Sequence, residues 1–232
     1  KIRLGHLFKQ SPVGIVGCFA VGLANGAFWS LAPVFANSDG GGEVRIAAFM
    51  SFAVIAGAIG QWPLGRISDR TDRRKVIIAA CIGAAIAGII LVIVAHWYGQ
   101  GVFMAAFLFG FFAFPLYALC VAHMNDFVDP EGYVEAAGGL LLVFAIGAVI
   151  GPIMASTITN FVGIKMLFVW TALVHILTAV FAAYRMTQRA PAPAEEHIAF
   201  SEALVVAQTV SNVDPMQSSF VAEESNEKDD SH

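Results

Sequence analysis

Six stretches of this chain run for about the depth of a membrane with no Asp, Glu, Lys or Arg. They are residues 11–38, 46–64, 76–95, 102–124, 136–159 and 166–184. At a rise of 1.5 Å per residue, about 20 residues cross a hydrocarbon layer of about 30 Å. Inside lipid, every backbone N–H and C=O must find its partner within the protein, which leaves helices or a closed barrel. A barrel needs short alternating segments, and the sequence has none. The expected fold is therefore all-α and integral to a membrane, with six transmembrane helices. Composition agrees: 58% of residues are hydrophobic and 13% charged, against roughly 25% charged in soluble domains.

The bases orient the spans. Loops on the cytoplasmic side carry an excess of Lys and Arg. If the first ten residues lie in the cytoplasm, that side holds Lys1, Arg3, Lys9, Arg66, Arg70, Arg73, Arg74, Lys75, Arg185, Arg189 and Lys228. The far side holds only Arg45 and Lys165. Both termini are expected to be cytoplasmic, and the membrane is expected to be the plasma (inner) membrane. Trp97 and Tyr98 fall in a far-side loop, where an interfacial aromatic belt is expected. Pro115 interrupts the fourth span.

Three regions follow. Residues 1–10 are a charged cytoplasmic linker end, 11–185 a six-helix transmembrane bundle, and 186–232 an acidic, mostly disordered cytoplasmic tail. Pro191 and Pro193 stop continuation of the last helix. Nine of the seventeen acids lie beyond Gln188. Within the tail, "EEHIAFSEALVVAQ" has the makings of one or two amphipathic turns. The chain opens on Lys1 without a Met, so a fragment is expected. Cys18, Cys81 and Cys120 sit singly in apolar runs and read as small core residues.

Five of the thirteen bases crowd into residues 66–75, in "GRISDRTDRRK". A topology anchor accounts for the bases alone. It leaves Gly65, Asp69 and Asp72 unexplained. Arg73, Arg74 and Lys75 open the third span, where the positive end of the helix disfavours them, so nearby acids or lipid phosphates must hold them. Gly65, Ile67, Asp69, Arg70, Arg73 and Arg74 fit Gly-x-aliphatic-x-Asp-Arg-x-x-Arg-Arg. The pattern resembles the signature loop of the major facilitator superfamily, placed between the second and third helices. Asp72 stands where that family usually has Gly. The resemblance covers residues 1 to about 188 and implies a half-bundle of six helices, paired in the whole protein with another such half. It also implies that Asp69 meets a helix N-terminus in the missing half, and that Arg70 or Arg73 pairs with Asp126 at the end of the fourth span. Such contacts would form a latch that breaks as the halves rock.

The charged lead-in and the acidic ending favour the C-terminal half. The strong motif and "GAVIGPIMAS", which resembles a Gly-x-x-x-Gly-Pro stretch of some exporters' fifth helix, point the other way. Gly147 and Gly151 form a GxxxG face that admits a close helix neighbour, and Pro152 bends the helix by removing a hydrogen bond. Gly22 and Gly26 form a similar face in the first span. Plain packing is the default reading of these faces, and sliding contact between rocking bundles the alternative.

The spans carry no charge at mid-depth. His175 is the one central titratable side chain. The first and fourth helices of each half line the cavity in the family, which implies Asn25, Trp29 and Tyr117 as cavity candidates beside His175. Bonding to a neighbouring helix is the plainer reading of Asn25 and Tyr117, and a satisfied packing residue is the plainer reading of His175. The expected partners are the bilayer, the missing half and a small-molecule substrate, with no nucleic acid, cofactor or metal. No GxSG, HExxH or paired mid-span acids suggest an enzyme. The expected function is secondary transport of a small solute by alternating access. A self-standing six-helix channel, scaffold or sensor is the alternative.

Overall fold

A computed structural model describes residues 3–38, 40–95, 101–188 and 200–201. Among them lie eight α-helices, one short 3-10 turn and no strand. A short amphipathic α1 (Leu4–Gln10) precedes the first crossing, α2 (Pro12–Ala36). The second crossing is α3 (Gly42–Arg70) and the third α4 (Arg73–Val94). Two pieces, α5 (Gly101–Ala113) and α6 (Leu116–Asn125), make the fourth. The last two are α7 (Tyr133–Val162) and α8 (Met166–Gln188). Six crossings are thus long and apolar enough to span a membrane. The belt residues Trp97 and Tyr98 lie outside the described residues, as does the acidic tail apart from Phe200 and Ser201.

Local chemistry sets the helix ends. Ser11 accepts a hydrogen bond from the Gly14 N–H at 3.1 Å, and Pro12 occupies the first turn of α2, where its missing N–H costs nothing. Asp72 caps α4 by accepting from the Arg74 N–H. Pro115 separates α5 from α6 because it has no N–H to continue the ladder. At the end of α7, Gly163 has φ 116°, a backbone geometry open essentially to glycine. Several helices outrun their charge-free windows, α3 the furthest. α3 extends through Glu43 and Arg45 at one end and through Arg66 and Arg70 at the other. A charge-free window marks hydrocarbon depth, whereas the helix continues into the headgroup layer.

The glycine faces meet each other. Gly22 and Gly26 of α2 lie against the backbone of Phe144 and Ala148 on α7, while Gly147 and Gly151 lie against Phe19 and Leu23 on α2. A Cβ at any of the four would land on a carbonyl oxygen of the neighbour. The two faces therefore form one crossing inside this bundle. A second close crossing joins α3 and α5, with Gly60 on Phe111 and Gly110 on Ala53. Lipid gives little hydrophobic drive for helix association, so van der Waals packing of this kind carries much of it.

An aromatic core fills the half of the bundle away from the basic turn. Phe28 is fully buried and stacks on Phe109, with ring centroids 5.4 Å apart. Phe168 meets Phe109 edge-on at 5.5 Å. At the other end, Cys18, Cys81 and Cys120 are buried free thiols in an aliphatic cluster. α3 and α7 are the least buried crossings. Ile55, Ile59 and Trp62 on α3, and Val149, Ile153 and Phe161 on α7, are exposed.

Candidate functional site

The basic turn joins three helix ends. Arg73, at the start of α4, is 1% exposed. Its Nε donates to Oδ2 of Asp126 at 2.7 Å. Its Nη1 donates to Ser68 Oγ and to Asp69 Oδ1, both at 3.0 Å. Ser68 and Asp69 belong to the last turn of α3, and Asp126 closes α6. Each charge of the central pair has the wrong sign for its own helix end: a cation sits at the positive end of α4 and an anion at the negative end of α6. Paired, each cancels the other's penalty. The planar guanidinium fork makes this possible, because one Arg can bond several acceptors in a fixed geometry.

Arg74 makes a second, more local unit. Its Nε and Nη2 donate to the two oxygens of Asp72 at 3.0 and 2.8 Å, besides the capping bond from its own N–H. Partial burial pushes the Asp72 carboxyl up, but the hydrogen bonds and charge of Arg74 outweigh it and hold Asp72 below the usual carboxylate range. Arg70, the alternative partner expected for Asp126, is exposed and makes no ion pair among the described residues. It is the last residue of α3, whereas Arg73 opens α4. Ser68 lay inside the motif as an unassigned position, and its burial depends on packing that spacing does not reveal.

Gly65 and Asp69 lie one turn apart on α3 and face the same space. The ring of Phe200 rests on Gly65, where a Cβ would collide with it. The Phe200 N–H donates to Asp69 Oδ1 at 2.9 Å. A cavity of about 450 Å³ adjoins this contact, lined by Gln61, Trp62, Arg66 and Ser201 among others.

A second recess opens between α2, α3 and the break that joins α5 to α6. It measures about 290 Å³ and is lined by Asn25, Trp29, Val54, Gly57, Ala58, Gln61 and Phe114. Asn25 is nearly buried and Trp29 half exposed. The indole stacks on Phe114 at 5.5 Å with planes 14° apart. Of the four cavity candidates, Asn25 and Trp29 come together here and the other two do not. Tyr117 turns away and packs on Phe144 at 5.0 Å. His175 is buried on α8, its Nδ1 donating to the Thr171 carbonyl at 2.7 Å, with its ring edge-on to Phe109. Gln61 was not foreseen. Its signal was available, since Val54, Gly57, Ala58 and Gln61 recur at three- and four-residue spacing on one helix face. Among the described residues no cluster of His, Cys, Asp and Glu could hold a metal.

The sequence matches the Major Facilitator Superfamily over residues 15–212. The chain belongs to the major facilitator superfamily. It is 28% identical over 169 residues to an uncharacterized MFS-type transporter, YcaD, of Escherichia fergusonii, covering 73% of this chain and 43% of that protein. The YcaD protein of Shigella flexneri is 27% identical over the same coverage. The chain therefore spans less than half the length of these curated relatives. Among solved structures, the human organic anion transporter MFSD10 (TETRAN) has a TM-score of 0.61 at 16% identity, covering 86% of this chain and 53% of that one. That likeness concerns the fold, and it agrees with six helices forming half of a larger bundle. These relatives are named as transporters.

Proposed function

We propose that this chain is one six-helix half, the C-terminal one, of a secondary transporter that moves a small solute by alternating access. The observation that carries the reading is the buried Arg73–Asp126 pair with Ser68 and Asp69. It welds the ends of α3, α4 and α6 into one rigid block. Asp69, at the rim of that block, is only partly buried and can offer its carboxylate to a helix N-terminus of the other half. The weld holds this half as a unit, and the Asp69 contact breaks and re-forms between halves. With the basic turn in the cytoplasm of the plasma membrane, as the distribution of bases supports, the latch closes the cytoplasmic side and both ends of this chain are cytoplasmic.

The recess between α2, α3 and the α5–α6 break supports a substrate wall. Asn25 and Gln61 supply neutral hydrogen-bonding groups, and Trp29 on Phe114 supplies a flat aromatic face. This wall suits a small solute with an apolar or aromatic body. The solved neighbour is titled an organic anion transporter. A negative charge on the solute would have to be met by the other half, because no cation lines this recess. The self-standing module is disfavoured by the relatives, which are named as transporters.

The test uses the intact transporter with Asn25→Cys. The native thiols of this half are buried and give little background. An impermeant thiol reagent should label Cys at position 25 from each side in turn as the protein cycles. Adding Asp69→Asn should raise labelling from the cytoplasmic side. Labelling from neither side, or an unchanged rate with Asp69→Asn, would overturn the reading.

A further inference from the structure

The contact between Phe200 and the motif joins residues 131 positions apart in sequence. Three observations mark it as a fitted contact. Phe200 is only 7% exposed. Its ring occupies the space that Gly65 leaves by lacking a side chain. Its backbone N–H points at the Asp69 carboxylate, which already accepts from Arg73 on the same oxygen. A free backbone N–H on a carboxylate, beside a glycine that allows close approach, is the same chemistry that a helix N-terminus would offer.

We infer that Phe200 and Ser201 are an intrachain ligand of the Gly65–Asp69 site, and that they compete there with the helix end of the other half. This rests on the latch reading above. The glycine face has room for one close neighbour: with the Phe200 ring in place, no helix can approach Gly65. Oδ1 of Asp69 already holds two donors. Docking of Phe200 is therefore a built-in release that favours the unlatched state. Undocking frees both the face and the carboxylate for the other half. The rest of the groove gives the segment a seat, with Trp62 and the Arg66 guanidinium in cation–π contact at 5.6 Å along one wall.

The inference fixes opposite signs for two variants of the intact transporter carrying Asn25→Cys. Asp69→Asn removes the carboxylate from both competitors and unlatches the halves, so cytoplasmic labelling rises. Phe200→Ala removes only the intrachain competitor, so the latch strengthens and cytoplasmic labelling falls. The variant keeps the backbone N–H at position 200 but removes the ring from Gly65, and loss of that buried contact corresponds to about a tenfold change in occupancy. A rise or no change with Phe200→Ala, while Asp69→Asn raises labelling, overturns the competition and leaves the latch standing. No response to Asp69→Asn overturns the latch itself. Docking is read separately with Trp62→Cys and Ser201→Cys in the otherwise native protein. Both positions line one cavity, so a short bifunctional thiol reagent should link them, and adding Asp69→Asn should lower the yield. Absence of a link overturns the docking.

Discussion

Asp126→Asn isolates the weld. It leaves the shape of the side chain and removes its charge, so the Arg73 guanidinium stays buried with its principal counter-ion gone. Two unit charges 4 Å apart interact by about 4 kcal/mol at an effective dielectric constant of 20. Breaking a buried pair on one side costs roughly 3–5 kcal/mol in mutational series. Asp69 and Ser68 still face the guanidinium at 3.0 Å, so the low end, about 3 kcal/mol, is the expected loss. The control is Asp72→Asn. Asn caps a helix about as well as Asp and keeps one acceptor for Arg74, whose side chain and that of Asp72 are 4% and 11% exposed, so a smaller loss of about 1–2 kcal/mol is expected there. Unfolding of the purified transporter can be followed with a thiol-reactive dye, because Cys18, Cys81 and Cys120 are all buried and become reactive only when this bundle opens. The double change Arg73→Met with Asp126→Leu should recover much of the loss, as apolar replacements of buried ion pairs do. If Asp126→Asn unfolds as late as Asp72→Asn, or if the double variant is no better than Asp126→Asn alone, the pair is not the buried weld described.

Other outcomes follow from the same contacts. Gly26→Val or Gly151→Val drives a branched side chain into the backbone of the facing helix. About 1–3 kcal/mol of overpacking is expected, whereas Gly5→Val, with open space around it, should leave the dye-detected unfolding unchanged. Asn125 is 2% exposed and its amide has no hydrogen-bond partner among the described residues. Asn125→Leu should therefore hold or raise stability, and a clear loss would show that the amide has a partner in the working protein. The Asp72 carboxyl is held below its ordinary range, so its contribution is fully present above about pH 4 and is lost as the pH falls through the depressed folded value. The stability gap between the native protein and Asp72→Asn should be constant from pH 7 to about 4 and close below it; a gap that opens on acidification would contradict the Arg74 bonding.

How much of this was legible depends on the range over which the physics acts. The six crossings were readable because lipid imposes a local rule on each one: a run of about 20 residues without charge. Pro115 marked the break in the fourth crossing for an equally local reason, its missing N–H. The glycine faces were readable as faces, but not as partners. Only packing shows that Gly22 and Gly26 meet Gly147 and Gly151, because a small residue announces close approach without naming the neighbour. The same limit applies to His175 and Tyr117. A polar side chain in an apolar span must find a partner, yet the sequence does not say whether that partner is a cavity or the carbonyl one turn back. For His175 it is the carbonyl of Thr171. Phe200 is the extreme case. Nothing in its surroundings sets it apart from other tail residues, and its place is defined by a vacancy at Gly65, 135 positions earlier in the chain. A glycine in a signature loop can therefore be read as an opening without its occupant being known. The crowded bases of residues 66–75 then divide into three physical roles: Arg73 is buried to weld, Arg74 bonds locally at its own cap, and Arg66, Arg70 and Lys75 stay exposed.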